Sequence, residues 1–437
     1  MPEMLRAIRG MNDILPDDAR YWQYVERVIA SIAARYAYRE IRTPVVEQTR
    51  LFKRSIGEDT DVVAKEMYSF GGQEGDSLSL RPEGTASCVR ALLQHGLIRA
   101  GQAQKVFYQG PMFRHERPQK GRYRQFQQIG VEAFNLRGPD VDVEMLMLAR
   151  DIWSALGVDS VKLEINSLGN AESRREYRRA LTDYLRAHED QLDDDSRVRL
   201  ERNPLRILDS KNPQIRELIA QAPKLLDHLD ADSRSYFERY RELLDAAGVE
   251  YTVNPCLVRG LDYYTDVVFE WITGALGAQN AVCSGGRYDG LVETLGGKAT
   301  PAVGFALGVE RLLALIDKTR VPLCAPDIYV LAVGAAAETA ALQLTSRIRE
   351  AHSHYSVQMN LGGGSFKTQL RRANRSGAAI ALILGDTEVD SNTVGIKPLR
   401  TKEEQQSVAQ AEIDRALAQY LKLSDNAPPE TQASPAP

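Results

Sequence analysis

FYQGPMFRHERPQKGRYRQFQQIGVEAFN, residues 107–135, is the stretch whose reading decides the fold. Val106, Tyr108 and Met112 alternate along its first limb, and Phe126, Ile129, Val131, Ala133 and Phe134 supply a second apolar run. Between them Arg114, Arg117, Lys120, Arg122 and Arg124 surround a single acid, Glu116, with Pro118 and Gly121 in the middle. Two strand-like runs flanking a polar segment that holds Pro and Gly predict a β-hairpin with a long loop. The cations then stand at the strand ends and in the loop, over a sheet, where guanidinium groups suit bidentate contact with a polyanion. A solvated basic surface loop is the other reading of the same residues.

The length, 437 residues, allows two or three domains, each with its own core. Hydrophobic residues at 43% and charged residues at 26% describe an ordinary globular chain, not a disordered or fibrous one. The net charge of −4 gives no bulk signal for nucleic acid, so any such partner must be met by local patches. Cys88, Cys256, Cys283 and Cys324 lie far apart with no CxxC pair. That spacing argues against a zinc site and a disulfide framework, and fits a reducing compartment. The N-terminal MPEMLRAIRGMNDILPDD has no apolar signal region and no run approaches a membrane span, so the expectation is a cytoplasmic protein.

Working outward from the hairpin, Asp17 or Asp18 caps a helix through Tyr38, with Tyr21, Tyr24, Val25, Val28, Ile29 and Ile32 on one face. A strand-like run from Ile41 to Glu47, broken by Pro44, follows it. The pair fits a dimer element or an ordinary buried helix and strand. Residues 66–90 read as a hairpin turning at Gly71 and Gly72, then a strand entering a helix at Glu83, Gly84 and Thr85. A carboxylate and a hydroxyl there cap the helix or grip an ammonium group. A periodic helix spans Val141 to Leu156, and a strand Val161 to Asn166. From about Asn170 to Gly248 the chain turns to helix formers with i,i+4 charge pairs, which predicts a helical insertion.

Strands are expected again at Tyr251 to Val258 and Val267 to Ile272, with RGLDYYTD (259–266) between them. Then come CSGGRYDGLVETLGG (283–297) and PAVGFALGVERLLALI (301–316), the latter a strand, a small-residue turn at Gly304 to Gly308, and a helix. Arg311 stands just inside that helix, where the dipole disfavours a cation unless an anion or a π-face is held nearby. Pro322, Cys324 and Pro326 mark a linker. Beyond it, strands at DIYVLAVG, VQMNL, AAIALILG and TVGIKPL alternate with helices at 338–352, around Lys367 and over EEQQSVAQAEIDRALAQYLKL. That alternation predicts a small α/β domain with a mostly parallel sheet. The closing NAPPETQASPAP is Pro/Ser-rich and reads as disordered.

Several familiar chemistries are excluded. GGGSFKT (362–368) lacks the GxxxxGK[ST] spacing of a P-loop, and neither HExxH nor a dinucleotide GxGxxG follows a strand. His352 and His354 sit at a helix end as surface residues.

What remains is Glu83 with Thr85, the Arg-rich hairpin, RGLDYY, SGGRYDGL and GVER, spread over the first 316 residues. Together they resemble the histidyl-tRNA synthetases, a family of class IIa aminoacyl-tRNA synthetases. FRHERPQKGRYRQF matches motif 2 of that class, and VGFALGVERLL matches motif 3 with Arg311 as its arginine. The helix and strand ending at Pro44 fit the weaker motif 1. LVRGLDYYT and SGGRYDGL match two segments peculiar to histidyl enzymes, and IRGMNDILP matches their N-terminus. The C-terminal unit resembles the class IIa anticodon-binding domain.

The resemblance implies an α+β catalytic domain with an antiparallel active-site sheet and surrounding helices, in two parts at 1–169 and 251–321. It implies a helical insertion at 170–250, an α/β anticodon-binding domain at 327–423 and a disordered tail at 424–437. The implied activity is histidine activation by ATP followed by transfer to the 3′ end of tRNA(His), in a homodimer. Arg114, Arg259 and Arg311 would be catalytic; Arg114, Glu116, Arg122, Phe126 and Arg311 would bind ATP. Glu83, Thr85 and Gln128 would take the ammonium group of histidine, Glu132 and Tyr264 its imidazole, and Tyr263 and Tyr288 would line the pocket. Without the resemblance, Glu132 reads as a strand carboxylate paired with a neighbouring arginine. Arg117, Gln119 and Lys120 would meet the tRNA acceptor end, and Mg²⁺ would ride on the ATP phosphates without a protein-held site. The rival class is a catalytically inactive, histidine-sensing regulatory subunit of ATP phosphoribosyltransferase, which lacks the anticodon domain and has eroded motifs.

Overall fold

The computed structural model describes residues 4–421 except 59, 73, 74, 100, 120, 211, 278, 279 and 323. Lys120 and the tail expected at 424–437 therefore lie outside the described residues. The chain divides into two compact units, 1–322 and 323–437.

In the first unit, α1 (Pro16–Arg35) starts on a proline, whose missing N–H costs nothing in a first turn, with Asp17 and Asp18 facing the positive end of the dipole. It buries Val25, Ile29, Ile32 and Ala33 and stops short of the expected Tyr38, because Ala37 takes a left-handed φ of 61°. The following segment gives β1 (Arg39–Glu40) and β2 (Val46–Gln48) on either side of Pro44, which cannot donate to a ladder. Next come α2 (Thr49–Ile56), the expected hairpin β3 (Ser69–Gly71) and β4 (Ser77–Leu80), and α3 (Thr85–Gln94).

The quoted stretch forms β5 (Gln104–Phe113) and β6 (Gln125–Phe134), paired from Gln104↔Phe134 to Phe113↔Gln125. Then follow α4 (Pro139–Leu156), β7 (Lys162–Ser167) and four helices, α5 (Ala171–Ala187), α6 (Asp194–Arg202), α7 (Arg216–Gln221) and α8 (Ala231–Ala246). Asn170, Asp193 and Asp230 cap α5, α6 and α8 through their side chains, satisfying N–H groups that a helix start leaves bare. The chain returns through β8 (Thr252–Val253), β9 (Thr265–Ile272), β10 (Ala281–Arg287), α9 (Leu291–Thr294), β11 (Ala302–Gly308) and α10 (Val309–Leu313).

Eight of these strands make one sheet, β1-β5-β6-β11-β10-β9-β7-β8, and the other three make a small antiparallel sheet, β2-β4-β3. The β1–β5 and β7–β8 pairs at the edges of the larger sheet are parallel, and its interior pairs are antiparallel. Two expectations change. The strand expected over Tyr251 to Val258 is confined to Thr252–Val253, because the Asn254 side chain accepts from Cys256 N–H at 3.0 Å and turns the chain. The turn expected at Gly304 to Gly308 is strand instead, with Gly304 opposite Glu132 and Gly308 opposite Gln128. A side chain at Gly304 would meet the Glu132 carboxylate oxygen at 1.7 Å, so the small residue serves a close approach and not a bend.

The second unit holds β12 (Ile328–Val333), α11 (Ala335–Ala351), β13 (Val357–Met359), α12 (Phe366–Ser376), β14 (Ile380–Gly385), α13 (Asp386–Asp390), β15 (Thr393–Pro398), β16 (Gln406–Ala409) and α14 (Ile413–Tyr420). Its sheet, β13-β12-β14-β15-β16, is parallel over the first three strands and antiparallel over the rest, so it is mixed rather than mostly parallel. The last expected helix loses its first part to β16, where Val408 pairs opposite the buried Val394; sheet pairing overrides local helix preference.

One buried ion pair locks α4 to the first unit's sheet. Arg287, 1% exposed, donates to Asp142 at 3.0 Å, Asp289 at 3.1 Å and the carbonyls of Leu136 and Gly138. Arg287 thus works as a brace within SGGRYDGL. Removing it strands Asp142 in the core, and breaking a buried pair costs about 3–5 kcal/mol. Arg287→Ala is expected to lower the midpoint of the first cooperative transition in urea by that equivalent; an unchanged midpoint would contradict the brace.

Candidate active site

A cavity of about 340 Å³ opens between α3, β6, β10, β11 and the segment 259–264. Glu83, Thr85, Gln128, Glu132, Tyr263, Tyr264 and Tyr288 line one end, and Arg114, Glu116, Arg122, Phe126, Arg259 and Arg311 line the remainder. The structure thus brings these expected residues to one place. Arg117 and Gln119 stand apart from the cavity, exposed at the hairpin tip, where Gln119 bridges to Arg122.

At the first end Glu83 caps a helix and lines the cavity at once. Its carboxylate accepts from Thr85 N–H at 2.7 Å and Ala86 N–H at 2.9 Å, capping α3, while also facing the cavity. Burial pushes Glu83 above the usual carboxylate range. Glu132, 1% exposed, does not meet an arginine. Its partners are hydroxyls: Thr85 donates to it at 2.7 Å and Tyr288 OH donates to its other oxygen. Burial raises it to about 8, against the pull of those two donors. Tyr263 and Tyr264 stand 4.7 Å apart between ring centroids, and Tyr288 packs edge-on to both. Gln128 Oε1 is buried with no hydrogen-bond partner among the described residues. Such an acceptor is costly unless a ligand donates to it.

The other end is cationic. Arg114 donates to Pro82 O at 2.9 Å, and its guanidinium lies 5.5 Å from the Phe126 ring centroid. Arg311 is anchored to Gly121 O at 3.1 Å and Ala281 O at 2.5 Å. Burial lowers its pKa, and the like charges of Arg122 and Arg114 lower it further. Arg122 pairs with Glu116 and more distantly with Glu66. Between the two ends, Arg259 pairs with Glu270 and lies 5.3 Å from the Tyr264 ring centroid. Burial opposes its charge, but Glu270 and the adjacent tyrosines outweigh that and raise its pKa. Its Nε is buried without a partner among the described residues.

Residues 10–312 match the sequence profile of histidyl-tRNA synthetase, and 327–420 match that of an anticodon-binding domain. The crystal structure of apo S. aureus histidyl-tRNA synthetase is 34% identical, covers 94% of this chain and 99% of its own, and superposes with a TM-score of 0.79. The chain belongs to the histidyl-tRNA synthetase family. A histidyl-tRNA synthetase from a Nostoc species, 19% identical over 95% of this chain and 99% of its own, shares the fold with a TM-score of 0.68. A Bacillus halodurans protein described as an ATP phosphoribosyltransferase regulatory subunit/histidyl-tRNA synthetase shares it at 22% identity, covering 88% of this chain and 99% of its own, with a TM-score of 0.64.

For a histidyl-tRNA synthetase family cavity, three lining residues escaped the sequence reading. Glu270 neutralises Arg259, and Ser284, its cross-strand neighbour, donates to it at 3.3 Å. The signal was a lone acid in the apolar run VVFEWI, residues 267–272. Glu310, beside Arg311, accepts from Gln127 N–H at 2.9 Å and is raised by burial to about 7. It continues the β6 ladder where β11 departs after Gly308; nothing in GVER distinguishes such a tether from a solvated helix residue.

The raised Glu132 has a measurable consequence. Between the ordinary 4.5 and about 8, the folded state holds a proton that the unfolded state has released, so stability falls as pH rises through that window. The parent is therefore expected to lose urea stability relative to Glu132→Gln from about pH 5 to pH 8, by at most about 1.4 kcal/mol per pH unit. Parallel pH profiles for the two proteins would contradict a raised carboxyl.

Proposed function

We propose that this chain, a histidine–tRNA ligase by family, uses the carboxylate and tyrosine end of its cavity for histidine and the guanidinium end for ATP. The carrying observation is that one continuous cavity joins two opposite kinds of chemistry, with Gln128 Oε1 and Arg259 Nε left unpartnered inside it.

The ammonium group of L-histidine is assigned to Glu83, Thr85 and Gln128. Its two imidazole nitrogens are assigned to Glu132 and Tyr264, with Tyr263 and Tyr288 as walls. A pocket built to hydrogen-bond both ring nitrogens rejects analogues strongly, because their binding leaves its own buried polar groups unpaired. Phe126 and Arg311 hold the adenine between them, and Glu116 and Arg122 meet the base and the triphosphate. The histidine carboxylate attacks the α-phosphorus in line and pyrophosphate leaves. Arg114 and Arg259 stabilise the charge on the α-phosphate oxygens, so positioning and electrostatics lower the barrier without a covalent enzyme intermediate. Mg²⁺ enters on the β- and γ-phosphates as part of the ATP substrate.

In the second step a hydroxyl of the 3′-terminal ribose of tRNA(His) attacks the histidyl carbonyl and AMP leaves. Arg117 and Gln119 at the hairpin tip, with Lys120 next in sequence, are assigned to the acceptor end through phosphate and base-edge contacts. The unit at 327–423 takes the anticodon, and the helical stretch 170–250 is assigned as an insertion in the catalytic core. The assembly is a homodimer through residues 20–47, and the location is cytoplasmic; no described helix is long and apolar enough to cross a membrane. The regulatory-subunit alternative is disfavoured by the anticodon-binding match over 327–420, together with intact RGLDYY and motif 2 segments.

Pyrophosphate exchange across all twenty amino acids is expected to respond to histidine alone. Glu132→Ala should lose at least about 100-fold in histidine-dependent exchange, and Arg259→Ala about 100–1,000-fold in kcat. Exchange by Glu132→Ala near the parent rate would remove the pocket assignment, and no exchange by the parent would favour the regulatory class.

A further inference from the structure

The stretch 170–248 is more than an appendage to the catalytic core. Tyr177, Leu181, Leu185 and Leu225, all buried within it, belong to the same apolar cluster as Tyr263, Tyr264 and Tyr288 at the cavity wall. Its polar contacts converge on the segment 259–266. Arg174, near the start of α5, donates from Nη1 to the Tyr264 carbonyl at 2.7 Å. A side chain at Gly260 would stand 3.3 Å from Arg206 Nη1, so a second arginine of the same stretch lies over that segment.

The C-terminal end of the segment is held equally closely. Asp266, a non-glycine residue with a left-handed φ of 46°, donates its N–H to Gly169 O at 3.1 Å. Its own carbonyl accepts from Leu168 N–H at 2.6 Å. Ser233, in the first turn of α8, donates to the Asp266 carboxylate at 3.5 Å, and Asp230 accepts from both Ser173 and Ser233. The entry of the helical stretch and the start of its last helix thus close on Asp266, two residues after Tyr264. A left-handed non-glycine residue is strained and persists only where its surroundings over-determine it.

Helix preference does not account for Arg174. A cation near a helix N-terminus opposes the macrodipole, and burying an arginine costs desolvation. Its guanidinium donates to a main-chain carbonyl of the segment that carries Arg259 and Tyr264; burial opposes its charge, and Asp266 and Asp262 of the same stretch of chain favour it. We infer that Arg174 is a positioning residue for histidine: by tethering the Tyr264 main chain, it makes the helical stretch part of the amino-acid pocket. The adenine contacts, built on the hairpin and α10, do not share the tether; Arg259 does, but it acts on the α-phosphate as charge develops, so its displacement lowers kcat and leaves the ATP KM to the hairpin and α10. This inference rests on the histidyl-tRNA synthetase reading of the cavity.

The test is steady-state pyrophosphate exchange with the full-length protein. Arg174→Met removes the donors and keeps the apolar stem. Its histidine KM is expected to rise about tenfold, the value of one lost hydrogen bond to a charged group, while its ATP KM stays within about twofold. Arg174→Lys, which keeps a donor, is expected to recover much of the loss, and Arg175→Met, at an exposed neighbour, to behave as the parent. Should Arg174→Met not fold, Arg174→Gln, too short to reach the carbonyl, serves for the same measurement. A histidine KM unchanged in the truncated variant overturns the tether. So does a parallel rise in both KM values, which marks general loosening. A parent without histidine exchange fails the functional reading instead, and is distinguished by that control.

Discussion

A carboxylate buried in the middle of a sheet must be supplied with donors or keep its proton, and the first unit is arranged around that requirement at Glu132. Its strand, β6, has a partner on each edge, so its main chain is satisfied and its side chain points into space that neighbours must vacate. Gly304 on β11 vacates it, since any Cβ there would overlap the carboxylate. Thr85 at the start of α3 and Tyr288 just after β10 bring hydroxyls to its two oxygens. Helix α3 and the end of β10 are therefore placed relative to β6 by one buried hydrogen-bonded arrangement. Removing any of the three changes the cost of burying the carboxylate.

The same cavity carries the opposite problem at its other end. Burial lowers the pKa of Arg311, and the like charges of Arg122 and Arg114 add to the effect. A cluster of partly buried guanidinium groups held by carbonyl anchors is preorganised for an anion, because the donors need no reordering when the charge arrives. Arg259 stands where the two halves meet. Glu270 keeps it charged at depth, and its unpartnered Nε leaves it able to donate once more. The separation of the buried Glu83 and Glu132 from the crowded guanidiniums gives one wall, β6 and the hairpin loop, two chemistries, which the proposed function assigns to two substrates.

Other parts of the fold act as supports for this separation. Arg287 fastens α4 to the end of β10, beside the Tyr288 that donates to Glu132. Glu310 extends the β6 ladder past the end of β11 and so holds the strand that carries Phe126 and Gln128. The helical stretch after β7 closes on the segment that carries Arg259 and Tyr264. Each support is a polar contact between segments far apart in the chain, buried enough that water competes poorly for it.

Much of this was legible locally. The alternating runs around FRHERPQKGRYRQF specified a hairpin because period-two burial is a property of the strand itself. Composition and cysteine spacing set the broad class, and the motif set named the cavity residues. The local signals failed where a neighbour decides. Gly304 to Gly308 looked like a turn and is strand, because its small residues answer to Glu132 and not to their own backbone. Gln406–Ala409 looked helical and pairs with β15. Glu132 read as one half of an ion pair, and only the meeting of α3, β6 and β10 gave it hydroxyls and raised its pKa to about 8. The sequence by itself determined most of the residues that line the cavity, though not Glu270, Ser284 and Glu310, and that both signs of charge are needed. Tertiary structure alone decided which charges are paired, which are left to a ligand, and that Arg174 reaches Tyr264, since desolvation and hydrogen-bond geometry depend on atoms brought together from distant parts of the chain.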